Sequence, residues 1–513
     1  MLLLHVPYGN AQLSGDYPRV RLPLKSVIEE VVRRNNNVLS DYLQSQISRE
    51  AVEGEQNIYD PLVQASFLNQ NISKQNSTDE LVVRNATNYE AYINQLDLGI
   101  GGVIPSGAQW DLKYVNTQTN DTTIETNRSY LYEFSGELKL SLTQPLLKGF
   151  GRNITESRIN IAAIQSAVDF GKFEQKVMDL IGATIQIYWR LYGAQKIYET
   201  WLSSIKIAEQ SISDMEGMYK AGKISESELL EARSSLVQRR SELYSAKNRL
   251  IEINAQLYTL LNENYVYGKE LKLFDMDQPE TENTVFRDIN HYQQSALAKW
   301  PEYQNARRQV EKERVQVAFA ENQSLPQLDI LGSVGTNSMG SSQYQKSYKH
   351  LDETSFLSWS VGMKLTMPLT GGAAKSALTM AKLKLRQAEN ERDGMEKSLT
   401  NSIVSKLDAA NSMKDQLEEL KQGVEFRQKL LRIEQEKLKS GKISHKHLLS
   451  QEEEFVNFQR KFLSGIVSFK TAAAVLEISS SDILNKYSID PKKYSPYVTP
   501  SAENERTFPW ESK

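Results

Sequence analysis

Two long stretches of the chain repeat apolar residues at alternating spacings of three and four, a pattern typical of long helices that pack along a coiled-coil seam. The first stretch covers residues 153–262 and the second covers residues 372–478. Each is interrupted by a glycine, Gly222 in the first and Gly441 in the second. A helix of sixty-odd residues corresponds to a rod of about 100 Å. The pattern therefore predicts two helical hairpins with their tips at these glycines.

The two predicted tips have nearly the same sequence. The glycine of each tip suits the left-handed position that follows a last helical turn. Ser225 is expected to cap the returning helix, with Glu228 completing a capping box. Ser444 has the same place in the second tip, but His447 replaces the glutamate. The matching segments are Lys220-Ala221-Gly222-Lys223-Ile224-Ser225 and Lys439-Ser440-Gly441-Lys442-Ile443-Ser444.

Apolar and polar residues alternate with a period of two before each hairpin, which predicts β-strands. The alternation is strong at about 130–145 and at 356–367, and weaker at about 60–75 and at 326–336. Four core strands are therefore predicted, two in each half of the chain.

An insert at 76–129 separates the two strands of the first half. It contains two further candidate strands, at about 92–104 and 108–116, with Pro105-Ser106-Gly107 between them as a hairpin turn. Such a hairpin could enlarge the sheet or lie above it, and the sequence leaves both possibilities open.

The strong strands have one apolar face and one polar or charged face. A sheet packed on a soluble core would explain this alternation, and so would a membrane barrel with its apolar face on lipid and its charged face in a watery lumen. Two features favour the barrel. The strands lead directly into helices too long to fold back over a small sheet, and one chain has too few strands to close a porous barrel, so partner subunits are expected. The residues expected to face lipid are Tyr132, Phe134, Leu138, Leu140, Leu357, Trp359, Val361 and Met363.

The order of the predicted elements is the same in both halves, which indicates an internal two-fold structural repeat. The first repeat is expected over 22–262 and begins with a helix at 23–50. The second is expected over 283–486 and begins with a helix at 283–321. The other segments are an N-terminal extension (1–21), a linker (263–282) and a C-terminal tail (487–513).

Composition limits the classes of protein that remain. The 513 residues include no cysteine, which excludes disulfides, thiol catalysis and thiolate metal sites. A net charge of -3 argues against a nucleic-acid binder. The mean hydropathy is -0.51, and no run approaches the roughly 20 apolar residues of a transmembrane helix. The apolar start, Met1 to Val6, is too short for a signal peptide core, so an exported protein would have a trimmed signal or a misplaced start codon.

Enzymatic chemistry has no sequence support. The chain contains no glycine-rich phosphate loop, metal-ligand spacing or nucleophile constellation. We therefore expect no catalytic, cofactor-binding or metal-binding residues and no cofactor.

Six short segments occur in a fixed order along residues 22–487. They are Leu142-Thr143-Gln144-Pro145-Leu146, Tyr188-Trp189-Arg190-Leu191-Tyr192-Gly193-Ala194-Gln195, the tip at 221–225, Ala298-Lys299-Trp300-Pro301-Glu302-Tyr303 with Ala306-Arg307 and Ser324-Leu325-Pro326-Gln327-Leu328, Leu365-Thr366-Met367-Pro368-Leu369, and the second tip. As a duplicated set they resemble the TolC family of outer-membrane efflux proteins, although each segment alone is a weak signal.

This resemblance implies a fold that is mainly helical and a homotrimer. Four strands from each of three chains would close a twelve-stranded outer-membrane barrel, continuous with a hollow helical barrel in the periplasm of a Gram-negative-type bacterium. The implied partners are outer-membrane lipid, a periplasmic adaptor protein and an inner-membrane transporter. The implied function is a passive conduit for efflux or type I secretion, and no nucleic acid is expected as a partner.

The resemblance also places the inner entrance at the tips. Adaptor docking would involve Gly222, Lys223, Ile224 and Ser225, together with Gly441, Lys442, Ile443 and Ser444. Some family members have acidic residues just past the second tip, where this chain has His447 and Ser450, with Glu228 as the counterpart in the first half. Three copies of His447 near a threefold axis would make this entrance pH-sensitive, and a solvated surface histidine is the alternative.

A soluble coiled-coil scaffold or adaptor is the rival interpretation. It explains the helices and tips but leaves the duplicated strand pairs without a purpose. The sequence does not identify the transported substrate.

Overall fold

The computed structural model describes residues 20–127, 130–266, 273–279, 285–341 and 356–494. Contacts divide the chain into two compact units. Unit 1 contains Met1–Ser45, Asp169–Asn305 and Asp393–Lys513, and unit 2 contains Gln46–Val168 and Ala306–Arg392. Most of the predicted N-terminal extension (1–21) and C-terminal tail (487–513), and part of the predicted linker (263–282), lie outside the described residues.

The described residues form twelve α-helices and eight β-strands, numbered here in chain order. The helices are α1 Leu24–Arg34, α2 Asn36–Gln56, α3 Thr78–Arg84, α4 Thr122–Asn127, α5 Arg152–Thr155, α6 Ser157–Lys220, α7 Glu226–Leu260, α8 Ile289–Lys299, α9 Pro301–Gln323, α10 Gly372–Lys439, α11 His445–Ser479 and α12 Asp482–Tyr487. The strands are β1 Val20–Leu22, β2 Leu62–Gln75, β3 Asn88–Val103, β4 Gln109–Asp121, β5 Glu133–Pro145, β6 Phe274–Met276, β7 Gln327–Ser341 and β8 Leu357–Thr366.

Helices α6 and α7 form the first hairpin, and α10 and α11 form the second. In unit 1 their seams bury large side chains in one cluster, including Phe173 and Leu191 on α6, Leu250 on α7 and Phe469 on α11. Each such side chain contributes about 1.5–3 kcal/mol when it is fully removed from water. The apolar period of the sequence therefore becomes the packing interface of these helices.

Helix α11 is also the one described helix that is long and apolar enough to cross a membrane. Its most apolar window has a mean hydropathy of 1.4 and is 39% buried. The same helix contributes Leu463, Ile466 and Phe469 to the unit 1 core. A packed core helix passes the same test of length and composition.

An aromatic segment of α6 holds a small two-stranded sheet in unit 1. Strands β1 and β6 pair in parallel. The Tyr188 hydroxyl donates to the Leu22 carbonyl at 2.8 Å and accepts from the Asp277 backbone N–H at 2.8 Å. The Gln195 amide bonds both backbone groups of Phe274, at 2.8 and 2.9 Å. Two strands of only three residues leave backbone N–H and C=O groups without a strand partner. The Tyr188 and Gln195 side chains form hydrogen bonds with these groups instead.

The predicted helix at 23–50 is in fact two helices, α1 and α2. Asn35 interrupts them with an extended backbone, φ -72° and ψ 121°. Its side-chain amide donates to the Leu260 carbonyl at 3.1 Å, and its side-chain oxygen accepts from the Asn37 backbone N–H at 3.0 Å. Asparagine competes with helical hydrogen bonding in this way, which ends one helix and starts another.

The predicted helix at 283–321 is also divided, into α8 and α9. Trp300 is extended, with φ -64° and ψ 119°, because the following Pro301 disfavours the helical conformation of the residue before it. Proline at the first position of α9 is well placed, since that position needs no N–H donor. Residues 283 and 284 lie outside the described part of the chain.

Unit 2 contains a six-stranded antiparallel sheet in the order β2-β3-β4-β5-β7-β8. The two candidate strands of the insert are present as β3 and β4, and both are longer than the alternation in the sequence predicted. They lie between β2 and β5, so the hairpin enlarges the sheet.

The turn of the β3–β4 hairpin is attached to the segment that follows β5. The Gly151 N–H donates to the Ser106 carbonyl at 3.0 Å, and the Ser106 hydroxyl donates to Gln144 at 2.8 Å. Gly107 has a φ of +87°, and a Cβ there would clash with the Gly149 carbonyl oxygen. Only glycine fits this turn, because both the backbone angle and the contact exclude a side chain.

Replacing Gly107 with alanine should therefore weaken the attachment of the hairpin. We expect Gly107→Ala to lower the free energy of unfolding by at least about 1–2 kcal/mol, since a left-handed residue acquires a Cβ that meets backbone. Denaturant unfolding in detergent measures this change.

Gly99→Ala is the matched control in the same hairpin, because a Cβ there has its nearest neighbour at 3.8 Å. Equal loss of stability in both variants would contradict the proposed attachment.

Candidate functional site

The two helical tips have the same backbone hydrogen bonds. After α6 the Gly222 N–H donates to the Tyr219 carbonyl and the Lys223 N–H to the Met218 carbonyl, both at 2.9 Å. The same pair of bonds follows α10, from Gly441 to Leu438 and from Lys442 to Lys437, also at 2.9 Å. The glycines have φ of +68° and +70°. Each tip is thus a Schellman motif with glycine at the left-handed position, as the sequence predicts.

The caps that start the returning helices are also as predicted. Ser225 accepts from the Glu228 N–H at 3.3 Å, and the Glu228 carboxylate accepts from the Ser225 N–H at 3.2 Å. Ser444 accepts from the His447 N–H at 3.3 Å. In both tips the glycine and the lysine are exposed and the isoleucine is partly buried. The turns therefore present two similar, well-defined surfaces.

A cavity of about 700 Å³ lies between the two tips in unit 1. Its walls combine apolar side chains, such as Met218 and Leu449, with charged ones, such as Glu228 and Lys446. Of the three predicted gate residues, Glu228 and Ser450 line this cavity. His447 instead lies 3.5 Å from the Glu434 carboxylate, with half of its side chain exposed.

A row of polar links joins α11 to the first hairpin within unit 1. His445 contacts the Ser211 hydroxyl at 3.0 Å, Glu452 accepts from Arg239 at 2.9 Å, and Gln459 accepts from Thr200 at 3.3 Å. The three α11 residues are spaced by seven, so they occupy one heptad position of the seam. Further from the tip the same position holds Ile466 and then Ala473. The seam is therefore polar near the tips and apolar away from them.

The Arg239–Glu452 pair is the buried member of this row, with 6% of each side chain exposed. Arg239 also donates to the Ser204 hydroxyl at 2.8 Å and to the Ser204 carbonyl at 3.2 Å. Sequence reasoning predicted no function for either residue. A signal was available in the sequence, since Arg239 occupies a seam position that is otherwise apolar. A charged residue at a buried position needs a partner, so this arginine indicated a buried polar contact.

His445 is the partly buried histidine of the tips. Burial lowers its pKa, and the nearby Asp214 and Glu228 carboxylates partly oppose this effect. The lowered pKa favours the neutral imidazole, whose ring nitrogen can share a hydrogen bond with the Ser211 hydroxyl.

The sheet of unit 2 presents one continuous apolar face. Residues that pair across neighbouring strands form rows of side chains that cross all six strands on one face of the sheet. One such row is Val63, Ile100, Leu112, Leu140, Val334 and Trp359, and the next is Ala65, Leu98, Tyr114, Leu138, Thr336 and Leu357. On β8 the exposed fractions are 55% for Leu357, 74% for Trp359, 72% for Val361 and 69% for Met363. An exposed apolar face of this extent is typical of an interaction surface.

The opposite face of the sheet is polar and charged. Lys113 and Lys139 are directly opposite each other on β4 and β5, and Asp97 on β3 forms an ion pair with Lys113 at 2.8 Å. Ser333 and Ser360 form a hydrogen bond at 2.8 Å on β7 and β8. This face is suited to water and the other to an apolar medium.

Two of the eight predicted lipid-facing residues differ from this description. Tyr132 precedes β5 and is 41% exposed, so it lies outside the strand. Phe134 lies on the apolar side of β5 but is 9% exposed, opposite Gln118 and Gly340 and with its ring 6.4 Å from that of Tyr132. It lies beyond the two apolar rows described above, and its contact with lipid stays a prediction.

Metal binding has no structural support in the described part of the chain, where no group of three or more His, Asp or Glu side chains could hold an ion.

Comparison with protein families gives one match. The model of the family described as "Outer membrane efflux protein" matches residues 113–263 and 293–476. The first helical hairpin and strands β5, β7 and β8 lie within these ranges, and so does the second hairpin as far as residue 476. A comparison with curated proteins gave no match.

Solved structures of similar fold include three outer-membrane channels. The open-state MtrE channel of Neisseria gonorrhoeae has a TM-score of 0.62 and 15% identity, covering 93% of this chain and 97% of its own. CmeC of Campylobacter jejuni has a TM-score of 0.60 and 13% identity, with 95% and 98% covered. VceC of Vibrio cholerae has a TM-score of 0.60 and 14% identity, with 89% and 95% covered. These similarities establish the fold over nearly the whole chain.

Removing the buried arginine should destabilise the tips strongly. We expect Arg239→Ala to cost about 3–5 kcal/mol of unfolding free energy, because it leaves the Glu452 carboxylate buried without its partner. Arg240→Ala is the matched control, since its pair with Glu209 is 50% and 41% exposed, and it should cost less than about 1 kcal/mol. Denaturant unfolding measures both, and similar values for the two variants would refute the assignment.

Acid should loosen the tips through His445. Its folded-state pKa is below the ordinary value of 6.5. Just below that pH the unfolded chain therefore binds more protons than the folded one, and stability falls as pH falls. Hydrogen-exchange protection of tip amides should decrease on acidification through this window, and His445→Gln should reduce the decrease. An unchanged pH dependence in the variant would show that another group titrates.

Proposed function

The chain belongs to the outer membrane efflux protein family, and from this premise we propose that it is one protomer of a homotrimeric channel for passive export across the outer membrane. The observation that carries the proposal is the six-stranded sheet with a continuous apolar face and a charged opposite face. A membrane barrel needs this arrangement, because one face contacts lipid and the other contacts water. The helical hairpins would extend from the barrel into the periplasm.

The tips are the proposed contact with the rest of an export machine. A periplasmic adaptor would dock on the two exposed turns, at Gly222, Lys223, Ile224 and Ser225 and at Gly441, Lys442, Ile443 and Ser444. The cavity between the turns is lined by both apolar and charged side chains, which suits a protein segment. An inner-membrane transporter would deliver the substrate to this entrance.

The polar links along α11 are the proposed lock of the entrance. Such links can be exchanged for contacts with a partner or with water, whereas a fully apolar seam would strongly resist opening. Glu228, His447 and Ser450 would lie near the entrance and influence which solutes enter. Opening would separate α11 from the first hairpin near the tips while the apolar part of the seam remains packed.

The alternative function is a soluble coiled-coil scaffold or adaptor. That function would use the helices and tips but would leave the apolar face of the sheet exposed to water. A chain that remains monomeric and soluble without detergent would favour the scaffold and would contradict the channel.

Conductance in a planar bilayer tests the channel directly. The purified protein should give single-channel currents, and Glu452→Gln should increase the open fraction because it removes the charge that Arg239 binds. Glu209→Gln is the matched control, since it alters an exposed ion pair near the same hairpin. Absence of current from the wild type and from the loosened variant would overturn the proposal.

A further inference from the structure

We infer that the β3–β4 hairpin is part of the membrane wall, so that three copies of this chain close an eighteen-stranded barrel rather than a twelve-stranded one. The inference rests on the proposed function, because it takes the sheet to be the wall of a trimeric channel. It concerns the width of the outer pore. The family resemblance implies four strands per chain, and the inference raises this number to six.

Strand pairing places the hairpin within the sheet. Strand β2 pairs with β3 from Leu62 opposite Gly101 to Gln75 opposite Asn88. Strand β4 pairs with β5 from Gln109 opposite Thr143 to Thr119 opposite Glu133. The hairpin therefore separates the two strands of the first half along their length, and it supplies the described neighbour of β2 and one of the two neighbours of β5.

The apolar face continues across the hairpin without interruption. Leu98 and Ile100 on β3, and Leu112 and Tyr114 on β4, are on the same levels as Leu138 and Leu140 on β5. Leu98 is 44% exposed, Leu112 is 37% exposed and Leu140 is 43% exposed. A hairpin folded into the lumen or lying above the membrane would have no need of an apolar face in register with its neighbours.

The turn of the hairpin fixes this register at the end nearest the helices. Ser106 bonds both Gln144 and Gly151, and Gly107 approaches the Gly149 backbone too closely for a side chain. These contacts align the turn with the exit of β5 from the sheet. The hairpin is thus held at the same depth as the core strands.

The two edge strands of the sheet, β2 and β8, need partner strands, and further copies of the same chain can provide them. In the described part of the chain β2 and β8 each pair with one neighbour, so each has a row of unpaired backbone groups. Such groups cannot remain unpaired in hydrocarbon. Because the sheet has an even number of antiparallel strands, β8 of one copy and β2 of the next continue the alternation. The occupant of each edge is therefore a second copy of this chain.

The added strands widen the barrel. With strands about 4.8 Å apart and tilted by about 40°, eighteen strands give a barrel about 36 Å across, against about 24 Å for twelve. The outer pore would therefore admit bulkier solutes than a barrel with four strands per chain.

Single-cysteine spin labelling of the assembled protein in lipid vesicles tests this placement. The chain has no cysteine of its own, so each introduced cysteine carries the label at one known position. Leu98→Cys and Leu112→Cys report the hairpin, and Leu140→Cys reports a core strand on the same face. Lys113→Cys and Ser141→Cys are matched controls on the polar face, each adjacent to a lipid-facing position.

The measured quantity is the ratio of collision rates of the label with oxygen, which partitions into lipid, and with a water-soluble nickel chelate. We expect this ratio to be several-fold higher at Leu98, Leu112 and Leu140 than at Lys113 and Ser141. A high ratio at Leu140 with low ratios at Leu98 and Leu112 would overturn the inference and leave the channel intact. Low ratios at all three leucines would instead overturn the proposed function.

Native mass spectrometry in detergent supplies the copy number. Three copies with lipid-facing labels on the hairpin establish eighteen strands. A different copy number would change the strand count and overturn the eighteen-stranded barrel, even if the hairpin faces lipid.

Discussion

An antiparallel sheet with an apolar face, and with two edge strands that lack an outer partner among the described residues, is the constraint on which the rest of the structure depends. Leu357, Trp359, Val361 and Met363 are each more than half exposed, and the rows of Leu357 and Trp359 continue across all six strands. A single chain in water leaves this face uncovered. In the proposed channel, lipid on the face and strands of further copies on the edges would satisfy it together, because hydrocarbon tolerates apolar side chains but no unpaired backbone.

The helical hairpins follow a different physical logic. Their seams bury apolar side chains over most of their length. This burial stabilises the packed helices but does not help them to separate. Near the tips the same heptad position carries His445, Glu452 and Gln459, and each has a polar partner on the first hairpin. A buried ion pair such as Arg239–Glu452 adds little net stability but strongly penalises the loss of one partner. It therefore specifies one arrangement of the helices near the tips.

Prediction from sequence was most successful where local chemistry decides the conformation. The glycines at 222 and 441 and the serine caps at 225 and 444 form the predicted motifs, because each depends on a few neighbouring backbone groups. It was less successful for the helices at 23–50 and 283–321. Asn35 divides the first through a bond to the distant Leu260 carbonyl, which no local pattern reveals, whereas Pro301 is a local signal of the second division.

The sequence by itself determined the period of each segment, and thus the two hairpins, the two-faced strands and the tip turns. Only the tertiary structure decided which strands are neighbours. The β3–β4 hairpin was compatible with a place in the sheet or above it, since alternation describes the faces of a strand and not its partners. The Ser106 and Gly107 contacts with 144–151 settle its position in the chain's sheet. Likewise, Arg239 interrupted an apolar seam in the sequence, but its partner Glu452 lies 213 residues away, and only folding brings the two charges together.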